Sequence, residues 1–136
     1  MNIHASCVAM SGRGLLILGP SGSGKSLLAL SLMAVGADLV ADDRTLIRRD
    51  GGRLIADAPD EIRGRIEARG VGILAADVAG PAEIMLAVDL GRTEVERLPH
   101  RRRHELLGVE IPLVFGPYQP HLAVMLRQYL LKGRVW

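Results

Sequence analysis

Eight consecutive residues, Gly19-Pro20-Ser21-Gly22-Ser23-Gly24-Lys25-Ser26, satisfy the pattern G-x-x-x-x-G-K-[ST] in full. Each residue type in that pattern has a physical task. The glycines give the backbone angles that let the chain close around oxygens. Successive N–H groups then point inward as an anion nest, and a following helix adds about half a positive charge at its N-terminus. Lys25 is placed to reach β- and γ-phosphates, and the Ser26 hydroxyl to face Mg²⁺. ATP and Mg²⁺ are therefore the expected cofactors. A phosphate loop also needs a carboxylate near the metal or the attacking hydroxyl. Asp42 and Asp43 follow Lys25 by only 17 and 18 residues, a short separation that points to small kinases. Adjacent aspartates on an extended segment face opposite ways. One would face the phosphates while the other supports metal or structure. His4 is a further candidate, although a lone histidine on a strand is more commonly structural.

Those groups need elements to hold them. Leu15-Leu16-Ile17-Leu18 is a continuous apolar run, as expected of a strand buried on both faces, and it leads straight into the loop. A helix is predicted over residues 25–35, with Gly36 at its C-terminal cap. Its apolar residues, Leu27, Leu28, Leu30, Leu32, Met33 and Val35, wrap most of the circumference, so the helix is expected to be well buried. Residues 39–41 form a short strand that ends at the aspartates, the carboxyl end where open α/β sheets bind ligands. Strands are predicted at 3–10, at 45–49 and 53–56 around Asp50-Gly51-Gly52, and at 84–90, 95–98 and 109–115. Residues 11–14 read as a turn and residues 62–69 as ambiguous. A last helix is predicted over 120–132, with Leu122, Met125, Leu126, Tyr129 and Leu130 on one side. The fold class is α/β: a phosphate-loop core sheet with flanking helices and an antiparallel β flank, in a single domain over residues 1–136.

The chain's 136 residues suffice for one self-supporting core. A 49% hydrophobic content argues against disorder. With 3% aromatic residues the chain cannot build the stacking platforms of single-strand nucleic-acid modules. A net charge of +2 suits anionic ligands without demanding nucleic acid. The single cysteine, Cys7, excludes an internal disulfide and a cysteine zinc site, and fits a reducing cytosol. No apolar run is long enough for a membrane span, and Met1-Asn2-Ile3-His4 lacks a basic secretory start. The expected location is cytoplasmic. Met33, Met85 and Met125 are read as core. The His100-Arg101-Arg102-Arg103-His104 cluster is read as a solvated loop, with a docking patch for an acidic surface as the alternative.

The motifs together resemble the catalytic domain of the HPr kinase/phosphorylase family, which phosphorylates a seryl hydroxyl of the carrier protein HPr. The resemblance runs from His4-Ala5-Ser6 through Gly14-Leu15-Leu16-Ile17, the phosphate loop, Leu39-Val40-Ala41-Asp42-Asp43-Arg44 and Ala58-Pro59. It continues through Ile66-Glu67-Ala68-Arg69-Gly70-Val71-Gly72-Ile73 to Arg97-Leu98, and so covers residues 3 to about 98. It implies that Asp42 is the general base, that His4 orients it, and that Glu67 joins Ser26 as a Mg²⁺ ligand. It implies that Arg69 and Arg97 hold phosphate or stabilise transferred charge, with Lys25 and Asp43 completing the site. An HPr-like phosphocarrier would be the substrate and a homo-oligomer, hexameric in the family, the assembly. The family's additional N-terminal domain has no counterpart in these 136 residues, as in its short forms. Where the family carries Gly-Arg-Asn, linked to the phosphorylase reaction, this chain reads Phe115-Gly116-Pro117-Tyr118-Gln119-Pro120-His121, which counts against the reverse activity.

Two other readings stand beside this one. A small-molecule kinase of the shikimate or gluconate type also places acidic residues soon after the phosphate loop, and it would show a helical lid. A nucleotide-binding sensor without catalysis would bind ATP tightly and yield no phosphorylated product.

Overall fold

The computed structural model describes every residue from Met1 to Trp136. In chain order the elements are β1 (Asn2–Ile3), β2 (Ser6–Met10), β3 (Arg13–Leu18), α1 (Lys25–Ala34), β4 (Asp38–Ala41), β5 (Thr45–Asp50), β6 (Arg53–Asp57), β7 (Arg65–Ala68), β8 (Gly72–Ala75), β9 (Ala82–Thr93), β10 (Arg102–Leu106), β11 (Val109–Gly116) and α2 (Leu122–Lys132). Nine strands share one sheet in the order β1-β5-β6-β9-β3-β2-β4, with β11 added to β9 and β10 to β11. β7 and β8 form a separate antiparallel hairpin.

Only the β3–β9 and β9–β11 pairings are parallel. The rest of the sheet is antiparallel, so strands outnumber helices and the architecture is mixed α/β. The 12-residue β9 pairs β6 through Ala82 and Glu83 and, further along, β11 from Ala87 onward. One long strand thus serves two neighbours in succession, and the sheet curls around it.

The apolar run of β3 explains the core. Alternate side chains of a strand point to opposite faces. Leu15 and Ile17 pack with Leu28 and Leu32 of α1 and with Leu122, Leu126 and Leu130 of α2. Leu16 joins Cys7, Val40, Ile47, Leu54 and Ile111 on the other face. One face is covered by both helices and the other by the curl of the sheet itself. Each such leucine taken fully from water contributes about 1.5–3 kcal/mol.

Helix α1 ends as its sequence requires. The N–H of Gly36 bonds to the Met33 carbonyl at 3.2 Å and that of Ala37 to the Leu32 carbonyl at 3.0 Å. Gly36 takes the left-handed turn at φ 110° that this cap demands.

Several expectations need correction. Residues 95–98 are irregular rather than a strand. Arg102, Arg103 and His104 of the basic cluster lie in strand β10 rather than in a loop, since every other side chain of that strand is half-buried against β11. The first strand is split at His4 and Ala5 into β1 and β2, and Arg13 and Gly14 belong to β3, not to the preceding turn. α1 is well buried through Leu28, Ala29 and Leu32, but its apolar circumference is broken at Leu27, which is 51% exposed. Met85 and Met125 are exposed as well, because each lies on the outer side of its element. No helix is long and apolar enough to cross a membrane.

Candidate functional site

The parallel strands β3 and β9 set the position of the loop. Leu18 pairs in register with Asp89, so the 19–26 loop leaves the sheet beside the carboxyl end of β9. Loop and strand fit closely. A Cβ on Gly91 would lie 2.8 Å from Pro20 Cδ, and one on Gly19 would lie 2.5 Å from Ser23 Oγ. Asp89 Oδ1 accepts the Gly91 N–H at 2.9 Å and so fixes the turn that supports Pro20.

Lys25 is 7% exposed, and its ammonium donates to the Gly19 carbonyl at 2.8 Å and the Pro20 carbonyl at 3.1 Å. The loop is thereby closed by its own lysine. The N–H groups of Gly22, Gly24, Lys25 and Ser26 have no protein acceptor, and the buried Ser23 hydroxyl is unpartnered. Free donors at a helix N-terminus are what an anion such as a phosphate chain requires. Tyr118 closes the far side: a Cβ at Gly24 would meet Tyr118 Cβ at 3.1 Å, and its hydroxyl lies 3.3 Å from Ser31 Oγ.

The acidic pair sits directly after β4. Asp42 is 7% exposed, and three donors converge on its carboxylate. Ser26 Oγ donates to Oδ1 at 2.7 Å, Ser6 Oγ to Oδ1 at 2.9 Å, and the Glu67 N–H to Oδ2 at 3.0 Å. A buried carboxylate is satisfied by such donors. Asp43 differs completely. Its φ is 68°, the Arg44 N–H bonds back to the Asp42 carbonyl at 2.7 Å, and its side chain turns to solvent. There His4 Nε2 meets Asp43 Oδ1 at 2.6 Å.

The candidates from the sequence thus come together, with changed partners. Lys25, Ser26 and Asp42 form one contiguous group. His4 pairs with Asp43 and not with Asp42, because the left-handed turn sends the two carboxylates to different sides. Glu67 touches Asp42 through its backbone, and its exposed side chain makes no bond. Arg69 and Arg97 are both exposed, and neither makes an ion pair. Mg²⁺ fits this donor set: hard oxygen ligands from Ser26 and Asp42, with the Glu67 carboxylate free to join.

Ser6 is the residue that sequence reasoning left without a role. It stood in the His4-Ala5-Ser6 stretch, but only the register of β2 against β4, Cys7 opposite Ala41, brings it under the aspartates. Asp89 was missed too, although an apolar strand ending in an aspartate beside a phosphate loop was a readable signal. The segment carrying Arg97 is tied down at Glu94. Glu94 takes Arg102 through both carboxylate oxygens at 3.1 Å, while the Arg102 guanidinium lies 4.1 Å from the Phe115 ring centre. The Arg102 hydrogen bonds hold the Glu94 carboxyl below its ordinary value despite partial desolvation.

The family model described as HPr Serine kinase C-terminal domain matches residues 1–125. A protein named HPr kinase/phosphorylase from Caldicellulosiruptor bescii is 36% identical over 96% of this chain and 47% of its own length. Its namesake in Brevibacillus brevis is 35% identical, over 98% of this chain and 48% of its own length. The chain spans about half the length of the curated relatives it matches. The solved structure of the Hpr(Ser) kinase/phosphatase from Coxiella burnetii superposes with a TM-score of 0.81 at 27% identity, covering 97% of both chains.

Proposed function

The chain belongs to the HPr serine kinase C-terminal domain family, and from that premise we propose that it phosphorylates a seryl hydroxyl of an HPr-like phosphocarrier protein, using ATP and Mg²⁺. The relatives' names, HPr kinase/phosphorylase and Hpr(Ser) kinase/phosphatase, support the choice of chemistry. The observation that carries the reading is the 2.7 Å bond from the Ser26 hydroxyl to Asp42 at the mouth of a loop whose amides are free.

ATP–Mg²⁺ supplies the transferable phosphoryl group and a cation that offsets its charge. The chain's own groups do the positioning. The amides of Gly22, Gly24, Lys25 and Ser26 hold phosphate oxygens, joined by the rest of the 19–26 loop. Lys25 leaves the carbonyls of Gly19 and Pro20 to meet the phosphates. Ser26, Asp42 and the Glu67 carboxylate would hold Mg²⁺. Arg69 and Arg97 neutralise charge on the transferred group. Asp43 takes the proton of the incoming serine, because it is the solvent-facing carboxylate and His4 steadies it. This moves the base from Asp42, where the resemblance placed it, to its neighbour: a buried carboxylate that already holds three donors and faces the metal is badly placed to receive an acceptor protein.

Both helices pack on one face of the sheet beneath the phosphate loop, and the family match favours the protein-kinase reading over a small-molecule kinase. The Phe115-Gly116-Pro117-Tyr118-Gln119-Pro120-His121 stretch, which stands in place of the family's Gly-Arg-Asn, counts against the phosphorylase direction. A cytoplasmic homo-oligomer belongs to the same reading. The test is incubation with labelled ATP, Mg²⁺ and a purified HPr-like protein. Acid-stable phosphoserine on the acceptor is expected, and its absence across Mg²⁺ and nucleotide conditions overturns the proposal.

A further inference from the structure

Ser6 is fully buried, and its one hydroxyl serves both aspartates. It donates to Asp42 Oδ1 at 2.9 Å and accepts the Asp43 N–H at 3.0 Å. Those two bonds span the point where the chain reverses hand. Asp43 sits at φ 68°, a conformation that costs a non-glycine residue energy unless its surroundings impose it. The neighbouring contacts hold the supporting segment in place. Thr45 Oγ1 donates to the Ala5 carbonyl at 2.8 Å, and His4 grips the Asp43 side chain from the same stretch.

We propose that Ser6 is a positioning residue, one whose hydroxyl holds the Asp42–Asp43 turn in the form that aims Asp42 at Ser26 and Asp43 at the acceptor. The inference rests on the kinase reading for its catalytic consequence and on the ligand-free turn for its structural one. Without the hydroxyl, the Asp43 N–H has no acceptor and Asp42 loses one of its donors. The turn then relaxes toward extended backbone, and the two carboxylates exchange sides or blur. The chemical step suffers while the loop amides and Lys25, which Ser6 does not touch, still bind the nucleotide's phosphates.

The test compares wild type with Ser6→Ala and Ser6→Thr. Amide hydrogen exchange is read on the ligand-free protein, and kcat and the KM for ATP with Mg²⁺ and an HPr-like acceptor. In Ser6→Ala the Asp43 amide is expected to exchange at least about tenfold faster while the β3 amides keep their protection, and kcat to fall about tenfold or more with the KM for ATP within about twofold. Ser6→Thr, which keeps the hydroxyl, restores both. Unchanged Asp43 exchange overturns the proposal. So does faster exchange with kcat within about twofold of wild type, and so does a loss of β3 protection together with raised KM, which marks general damage. Should Ser6→Thr fail to fold, the contrast between Asp43 and β3 in Ser6→Ala decides alone. If wild type phosphorylates no acceptor, the kinase reading fails, and the exchange measurements still settle what Ser6 holds.

Discussion

The two adjacent aspartates respond differently to the same small change. Asp42→Asn puts an NH₂ group or a single carbonyl oxygen where the hydroxyls of Ser6 and Ser26 and the Glu67 N–H all donate. Donors then face a donor inside the protein, which costs about 1–3 kcal/mol of stability. Asp43→Asn changes an exposed side chain whose partner is His4, so the fold is expected to keep its urea midpoint. If Asp43 is the base, its loss lowers kcat by about 10²–10⁴-fold. Both variants should be nearly inactive, and only Asp42→Asn should also be less stable. Equal stability losses, or an active Asp43→Asn, would contradict this division of labour. The sequence showed that an acidic pair must serve the loop, through its spacing from Lys25. It hid which carboxylate does what, because alternation along an extended strand was assumed and Asp43 leaves that conformation at φ 68°. A left-handed aspartate carries no mark in the string of residue types.

Helices and strands act on the site through the loop's two supports. One is α1, whose Leu28 and Leu32 fix it to the sheet. The other is the carboxyl end of β9, where Asp89 caps the turn at Gly91 beneath Pro20. The supports can be separated by substitution. Gly91→Ala adds a methyl group 2.8 Å from Pro20 Cδ, far inside van der Waals contact, so the loop must shift. ATP affinity is expected to fall about tenfold, while the melting temperature changes by less than in Leu28→Ala, where a buried leucine is lost at a cost of about 2–5 kcal/mol. Equal ATP affinity in Gly91→Ala, measured by calorimetry, would show that β9 does not brace the loop. Elements with strong apolar periodicity, such as β3 and β9, were readable from the residues. β10 was not, since His100-Arg101-Arg102-Arg103-His104 reads as solvated until Arg102 is seen lying over Phe115 and clasping Glu94. Long arginine stems that cover apolar surface imitate a polar loop.

At the scale of the molecule, one sheet separates two apolar layers, and β2 lies between β3 and the edge strand β4. Cys7 on that strand is the only cysteine. It has no exposed surface, and burial pushes its thiol up to about 12. At pH 8 such a thiol is roughly one part in ten thousand thiolate, and a reagent cannot reach even that fraction. Alkylation of Cys7 therefore requires β2 to part from its neighbours, which takes Val8 and Met10 from beneath α1 and disrupts β3, the strand that launches the loop. Labelling is expected to follow global opening, with a free energy equal to that from urea unfolding. ATP–Mg²⁺ binds only the intact loop, so at a hundred times its dissociation constant it should slow labelling about a hundredfold. Labelling that runs well ahead of unfolding, or that ATP leaves unchanged, would mean that the β2–β4 edge opens separately. The aspartates at the end of β4 would then move independently of the phosphate loop, and the two halves of the site would not be held by one cooperative unit.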